Sequence, residues 1–168
     1  MRRADDLRDA FSLIPPYLRQ DAGEALGTFA EYGLEQTRPF RALKTWATIA
    51  ARGRSGIAAQ VTRANGLARE LAALVEREPE LELAAEPETS IVAFRARPEG
   101  FSDAGLEELN RELPEAVQAR GRAFITGTVF DGRETLRACI LHPGTGQEHL
   151  ETLVLEVLAT AREVRLRA

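Results

Sequence analysis

The spacing of apolar residues changes abruptly after Pro79. Before it, Ile57, Val61, Ala64, Ala68, Leu71 and Val75 recur every third or fourth position, with Leu67 and Leu74 widening the stripe. That is the core-facing side of a helix. After it, Leu81, Leu83 and Ala85 alternate with glutamates, and residues 90–97 (SIVAFRAR) carry the β-branched and aromatic side chains of a second strand. A chain that turns from helical to alternating spacing within a few residues has to cover a sheet with helices, or separate the two into different domains.

The rest of the pattern favours the first solution. Thr37 or Arg38 can cap a helix that starts at Pro39, and Phe40, Leu43, Trp46, Ala47 and Ala50 give it an apolar side. Gly53 ends this helix, and Ser55 caps the longer one that runs to Pro79. Asp103 opens a helix to Ala119 with Leu106, Leu109, Leu113 and Val117 inward, and Pro114 in its interior predicts a kink or a split. Residues 123–130 and 134–142 are apolar runs joined by Asp131 and Gly132, a strong hairpin signal. Thr145 with Glu148 matches a capping box for a closing helix lined by Leu150, Val154, Val157, Leu158 and Ala161.

The order helix, helix, strand, strand, helix, hairpin, helix predicts an α+β fold with a small antiparallel sheet of three to four strands, covered by helices on one face. Residues 1–37 read differently. A short helix fits Asp5–Phe11, but Pro15, Pro16 and the glycines at 23, 27 and 33 break any period. Phe11, Ile14, Tyr17, Phe29 and Tyr32 are scattered there and need a surface to lie on. We therefore divide the sequence into an N-terminal arm, 1–37, and an α+β domain, 38–168. No glycine-rich turn follows a strand, which excludes a dinucleotide-binding fold.

Charge and composition narrow the partners. A net charge of −4 gives no footprint for nucleic acid or anionic lipid. No run of about 18 apolar residues is present, and no apolar segment follows the two arginines at the start, so the expectation is a cytoplasmic protein outside the membrane. Cys139 is the single cysteine, which rules out an internal disulfide.

Few residues offer chemistry on their own. His142 and His149 have no carboxylate or cysteine at metal-ligand spacing and read as surface histidines, so no metal site is expected. Cys139, inside the strand LRACIL, reads as a small core residue. Lys44 is the only lysine beside 21 arginines, and its register near Phe40 and Ala47 suggests a stem along a packed face and a salt bridge at the rim. Arg38 and Arg41 stand by a helix N-terminus, where they hold either a phosphate or a carboxylate of the fold. Arg137 shares a strand face with Thr135, Cys139 and Leu141. Two readings stay open: a buried guanidinium that requires an anion, or an arginine on a face open to solvent.

Three separated stretches carry a resemblance over nearly the whole chain: MRRADDLRDAF at the start, RPFRALKTW at 38–46, and GRAFITGTVFDGRETLRACILHPGT at 121–145. In order and spacing they are similar to the C-terminal part of group II pyridoxal-phosphate-dependent amino-acid decarboxylases. The resemblance implies the small C-terminal α+β domain of a fold type I enzyme, assembled as a dimer or with a chain that carries the large cofactor-binding domain. It implies that Arg137 matches a late-strand arginine that in some members meets the substrate carboxylate, and that Arg38, Arg41 and Lys44 lie at the domain junction near the active site. Pro39 stands where many members have a second arginine. The family's aldimine lysine lies upstream of everything matched here, so the resemblance assigns no catalytic residue to this chain and no covalently bound pyridoxal phosphate. The alternative is a self-associating or regulatory module that keeps the fold without catalysis.

Overall fold

The computed structural model describes residues 3, 5–11, 32–35 and 39–165. Helix α1 is Asp5–Phe11, with Asp5 and Asp6 in its first turn and Arg8 in its last, the arrangement the helix dipole favours. Helix α2 is the run Ala42–Arg77, broken by non-helical dihedrals at Gly53, φ 63° and ψ 175°. A side chain is strained at that φ, so glycine is what allows the chain to turn between the two helices read from the sequence. The first of them begins at Ala42 rather than Pro39, because the Pro39 carbonyl is taken by the N–H of Arg41 at 2.7 Å, which closes a tighter turn. Thr37 and Arg38 lie outside the described residues. The chain forms two compact units, Met1–Ala51 and Arg52–Ala168.

In the second unit, the strands are β1 (Leu81–Ala85), β2 (Ile91–Ala96), β3 (Thr126–Phe130) and β4 (Arg133–Cys139), with α3 at Asp103–Ala119 and α4 at Gln147–Arg165. All neighbours are antiparallel in the order β1-β2-β4-β3. Asp131 and Gly132 turn the β3–β4 hairpin at φ 48° and 75°. The expected α+β sheet is present with four strands.

One side of the sheet makes the core. Val92, Phe94, Leu136 and Ala138 are buried together with Leu71 and Val75 of α2, Leu109, Leu113 and Val117 of α3, and Val154, Val157 and Leu158 of α4. These are the helical stripes seen in the sequence. Helix α3 continues through Pro114 as one element, so the expected split is not found. Its ring lies against β3 at Gly127, where an added Cβ would stand 3.3 Å from Pro114 Cγ. Helix α3 opens at Asp103 and ends at Ala119 as the sequence reads, and Ser102 caps it, its hydroxyl accepting the N–H of Gly105 at 3.2 Å. The capping box expected at Thr145 and Glu148 is displaced by one residue: α4 starts at Gln147, and Gly146 N–H donates to His149 Nδ1 at 3.1 Å.

Candidate functional site

The other side of the sheet is the candidate site. Register places Ile91 opposite Cys139, Ala93 opposite Arg137, and Arg137 opposite Thr126, so these side chains share a face. It is the side away from Phe94 and Leu136. Arg137 and Cys139 are exposed and Leu141 is 70% exposed. Arg137 rises between the half-buried Ala93 and Thr126, and the Thr126 hydroxyl donates to the Arg137 carbonyl at 3.2 Å. Its guanidinium makes no hydrogen bond or ion pair with a described residue. Of the two readings of this arginine, the described residues leave it on an open face.

Cys139 is therefore not a core residue. The alternation that buries Ala138 and Ile140 turns it outward. His142 and His149 are surface residues, and among the described residues no three His, Cys, Asp or Glu side chains converge on a metal position.

At the β1 end of the same face, Glu82 is shared by Arg133 at 3.3 Å and Arg97 at 3.6 Å. Here β2 and β4 stop pairing beyond Phe94 and Leu136, and α3 supplies substitute partners. Asn110 accepts the N–H of Ala96 through Oδ1 and donates to its carbonyl through Nδ2, both at 2.8 Å, with a further bond to Leu106 O at 2.8 Å. Glu107 accepts the N–H of Glu134 at 2.6 Å and a guanidinium N–H of the buried Arg95 at 2.9 Å. The Glu134 N–H holds the Glu107 carboxyl below its ordinary pKa, burial opposes this, and the hydrogen bond and charge of Arg95 add to the lowering. The sequence carried a signal for this support: Asn110 interrupts the inward stripe Leu106, Leu109, Leu113, and Arg95 sits in a strand between Phe94 and Ala96.

The junction residues fall in the first unit. Arg41 is exposed and stands 3.9 Å from Glu35, and Arg38 lies outside the described residues. Lys44 is exposed on the first half of α2, with no ion pair to a described residue, so neither the packed stem nor the rim salt bridge expected of it is found there. Because this is the only amine side chain, the described residues do not fit the coenzyme's aldimine site.

A four-stranded antiparallel sheet with helices packed on one side and an exposed arginine on the other defines, among the described residues, a lobe that offers a face. Residues 1–97 match the family model described as the pyridoxal-dependent decarboxylase conserved domain. The chain belongs to that family. It is 25% identical over 169 residues to an aromatic-L-amino-acid decarboxylase of Bacillus atrophaeus, covering 99% of this chain and 35% of that protein. It is 32% identical over 132 residues to an L-2,4-diaminobutyrate decarboxylase of Acinetobacter baumannii, covering 79% of this chain and 26% of that protein. Among solved structures, it superposes with a TM-score of 0.66 and 30% identity on the glutamate decarboxylase domain of a diaminobutyrate-pyruvate transaminase and L-2,4-diaminobutyrate decarboxylase from Vibrio parahaemolyticus, covering 73% of this chain and 26% of that one. The chain thus spans about a third or less of the length of these relatives.

Proposed function

We propose that this chain is the C-terminal lobe of a pyridoxal-phosphate-dependent amino-acid decarboxylase, a carboxy-lyase, and that it is not catalytic by itself. The aldimine lysine and the groups that grip the coenzyme ring belong to a pyridoxal-carrying portion outside these 168 residues. The open face of the sheet turns toward that portion, and Arg137 holds the substrate carboxylate by paired N–H donors. Arg38, Arg41 and Lys44 lie at the junction of the two portions, and the working assembly is a cytoplasmic dimer. The observation that carries this reading is Arg137 itself: an exposed guanidinium with no anion among the described residues, framed by the small side chains of Ala93 and Thr126.

The test is reconstitution. The chain is mixed with a pyridoxal-phosphate-loaded polypeptide that carries the matching upstream part of the Acinetobacter baumannii relative, and carbon dioxide release from L-amino acids is followed. Release that requires both polypeptides is the expected result, with Arg137→Gln lowering kcat/KM by about a hundredfold, the loss of a charge-assisted contact to a carboxylate. Absence of both a complex and turnover would reject the proposal.

A second reading is a module that acts by association alone. It is favoured by Phe40, just before α2, and Leu43, Trp46 and Ile49 in its first turns, exposed by 72%, 48%, 66% and 54%. A strictly monomeric chain that leaves Trp46 open to a soluble quencher at all concentrations would remove its support.

A further inference from the structure

A cleft elsewhere in the second unit lies outside the proposed function and does not depend on it. It opens between the second half of α2 and the β4–α4 loop, with a volume of about 250 Å3. Its floor is apolar and includes the buried Leu67 and Ile140. Its polar lining is Arg52, Gln60, Arg63 and His142, with no carboxylate among the lining residues. Both arginines are held in place: Arg52 Nη1 donates to Gln60 Oε1 at 2.6 Å, and Arg63 Nη2 donates to the Thr145 carbonyl at 2.6 Å. Each guanidinium keeps further N–H groups beyond these bonds. His142 Nδ1 accepts the N–H of Gly144 at 3.1 Å, which leaves Nε2 as the donor of the neutral ring.

We propose that this cleft binds a small carboxylate with an apolar body. Two anchored cations and no opposing carboxylate select an anion, and a planar fork of donors matches a carboxylate in particular. The apolar floor selects what the anion is attached to. An apolar cavity of about 150 Å3 holds a benzene ring, so the volume here suits a phenyl ring on a short acid chain.

Hydrocinnamate, phenylethylamine and phenyl phosphate are titrated into the isotope-labelled chain, and amide and guanidinium shifts are read by NMR. Hydrocinnamate is expected to move Gly144, His142 and the Arg63 side chain saturably, while phenylethylamine, of similar shape but opposite charge, moves none of them. Arg63→Gln and Arg52→Gln are each expected to weaken hydrocinnamate binding about tenfold, the worth of one charge-assisted hydrogen bond. Both positions are exposed, so these variants are expected to fold, and their thermal midpoints check that. The methyl ester of hydrocinnamate gives a control that needs no variant and is expected not to bind. Equal binding of the amine or the ester, binding unchanged in both variants, or no shifts at all would each overturn the site. Tighter binding of phenyl phosphate than hydrocinnamate would overturn the choice of a carboxylate.

Discussion

Asn110 shows how one side chain can stand in for part of a strand. Where β4 no longer reaches β2, Ala96 would be left with a buried N–H and a buried carbonyl, and the carboxamide satisfies both while its second donor returns to Leu106. An amide is the only common side chain of this size with a donor and an acceptor side by side. Replacing Asn110 with Ala orphans both backbone groups in the core, a cost of about 3 kcal/mol. Asn110→Asp keeps the acceptor and loses the donors, so it is expected to be at least as harmful. Urea unfolding checks both, and a midpoint within error of the unmodified chain would show that the end of β2 needs no bridge from α3.

At the scale of elements, α3 is tied to its neighbours by carboxylates. Glu107 joins it to β2 and β4, and Arg120, at its C-terminal cap, joins it to Glu156 and Glu163 of α4, each contact at 2.6 Å. The hydrogen bond from Arg120 holds the Glu156 carboxyl below its ordinary value of 4.5, burial opposes it, and the charges of Arg120 and Arg122 assist. For Glu107 and Glu156, the folded pKa lies below the unfolded one. Their stabilisation is therefore complete above the ordinary carboxylate range and is lost as pH falls through the folded values. Glu107→Gln is expected to be less stable than the unmodified chain at neutral pH, with the difference shrinking in acid. A difference independent of pH would show that charge at Glu107 plays no part. The elements themselves were legible in the sequence, since β1, α3 and the Asp131-Gly132 hairpin follow from periodicity and turn chemistry. What ties them was not, because Arg120 and Glu156 lie 36 positions apart and no local pattern joins them. The candidate face was half legible: alternation grouped Arg137 with Cys139 and Leu141, but which side the helices cover depends on which strand neighbours pair. That choice also turned Cys139 outward. Likewise, the close approach of the Pro114 ring to Gly127 of β3 could not be read locally, because the two residues are 13 positions apart.

At the scale of the whole molecule, the absence of a suitable lysine decides what this chain can do with the coenzyme. An aldimine useful for decarboxylation needs its amine enclosed with the ring, so that the linkage is protected from water and the ring nitrogen has a partner. Lys44 stands in a run of fourteen exposed residues, 39–52. A Schiff base formed there would be open to hydrolysis and held by no second contact from a described residue. Pyridoxal phosphate mixed with the chain alone is thus expected to be removed by desalting, and borohydride treatment of the desalted protein to leave the Lys44 peptide unlabelled. In the reconstituted pair, Lys44→Gln is expected to leave turnover within about twofold, whereas Arg137→Gln does not, because a junction contact at an exposed position contributes little and a carboxylate contact contributes much. An aldimine absorbance band that survives desalting, together with stoichiometric label on Lys44, would place the coenzyme on this lobe and contradict the division of labour between the two portions.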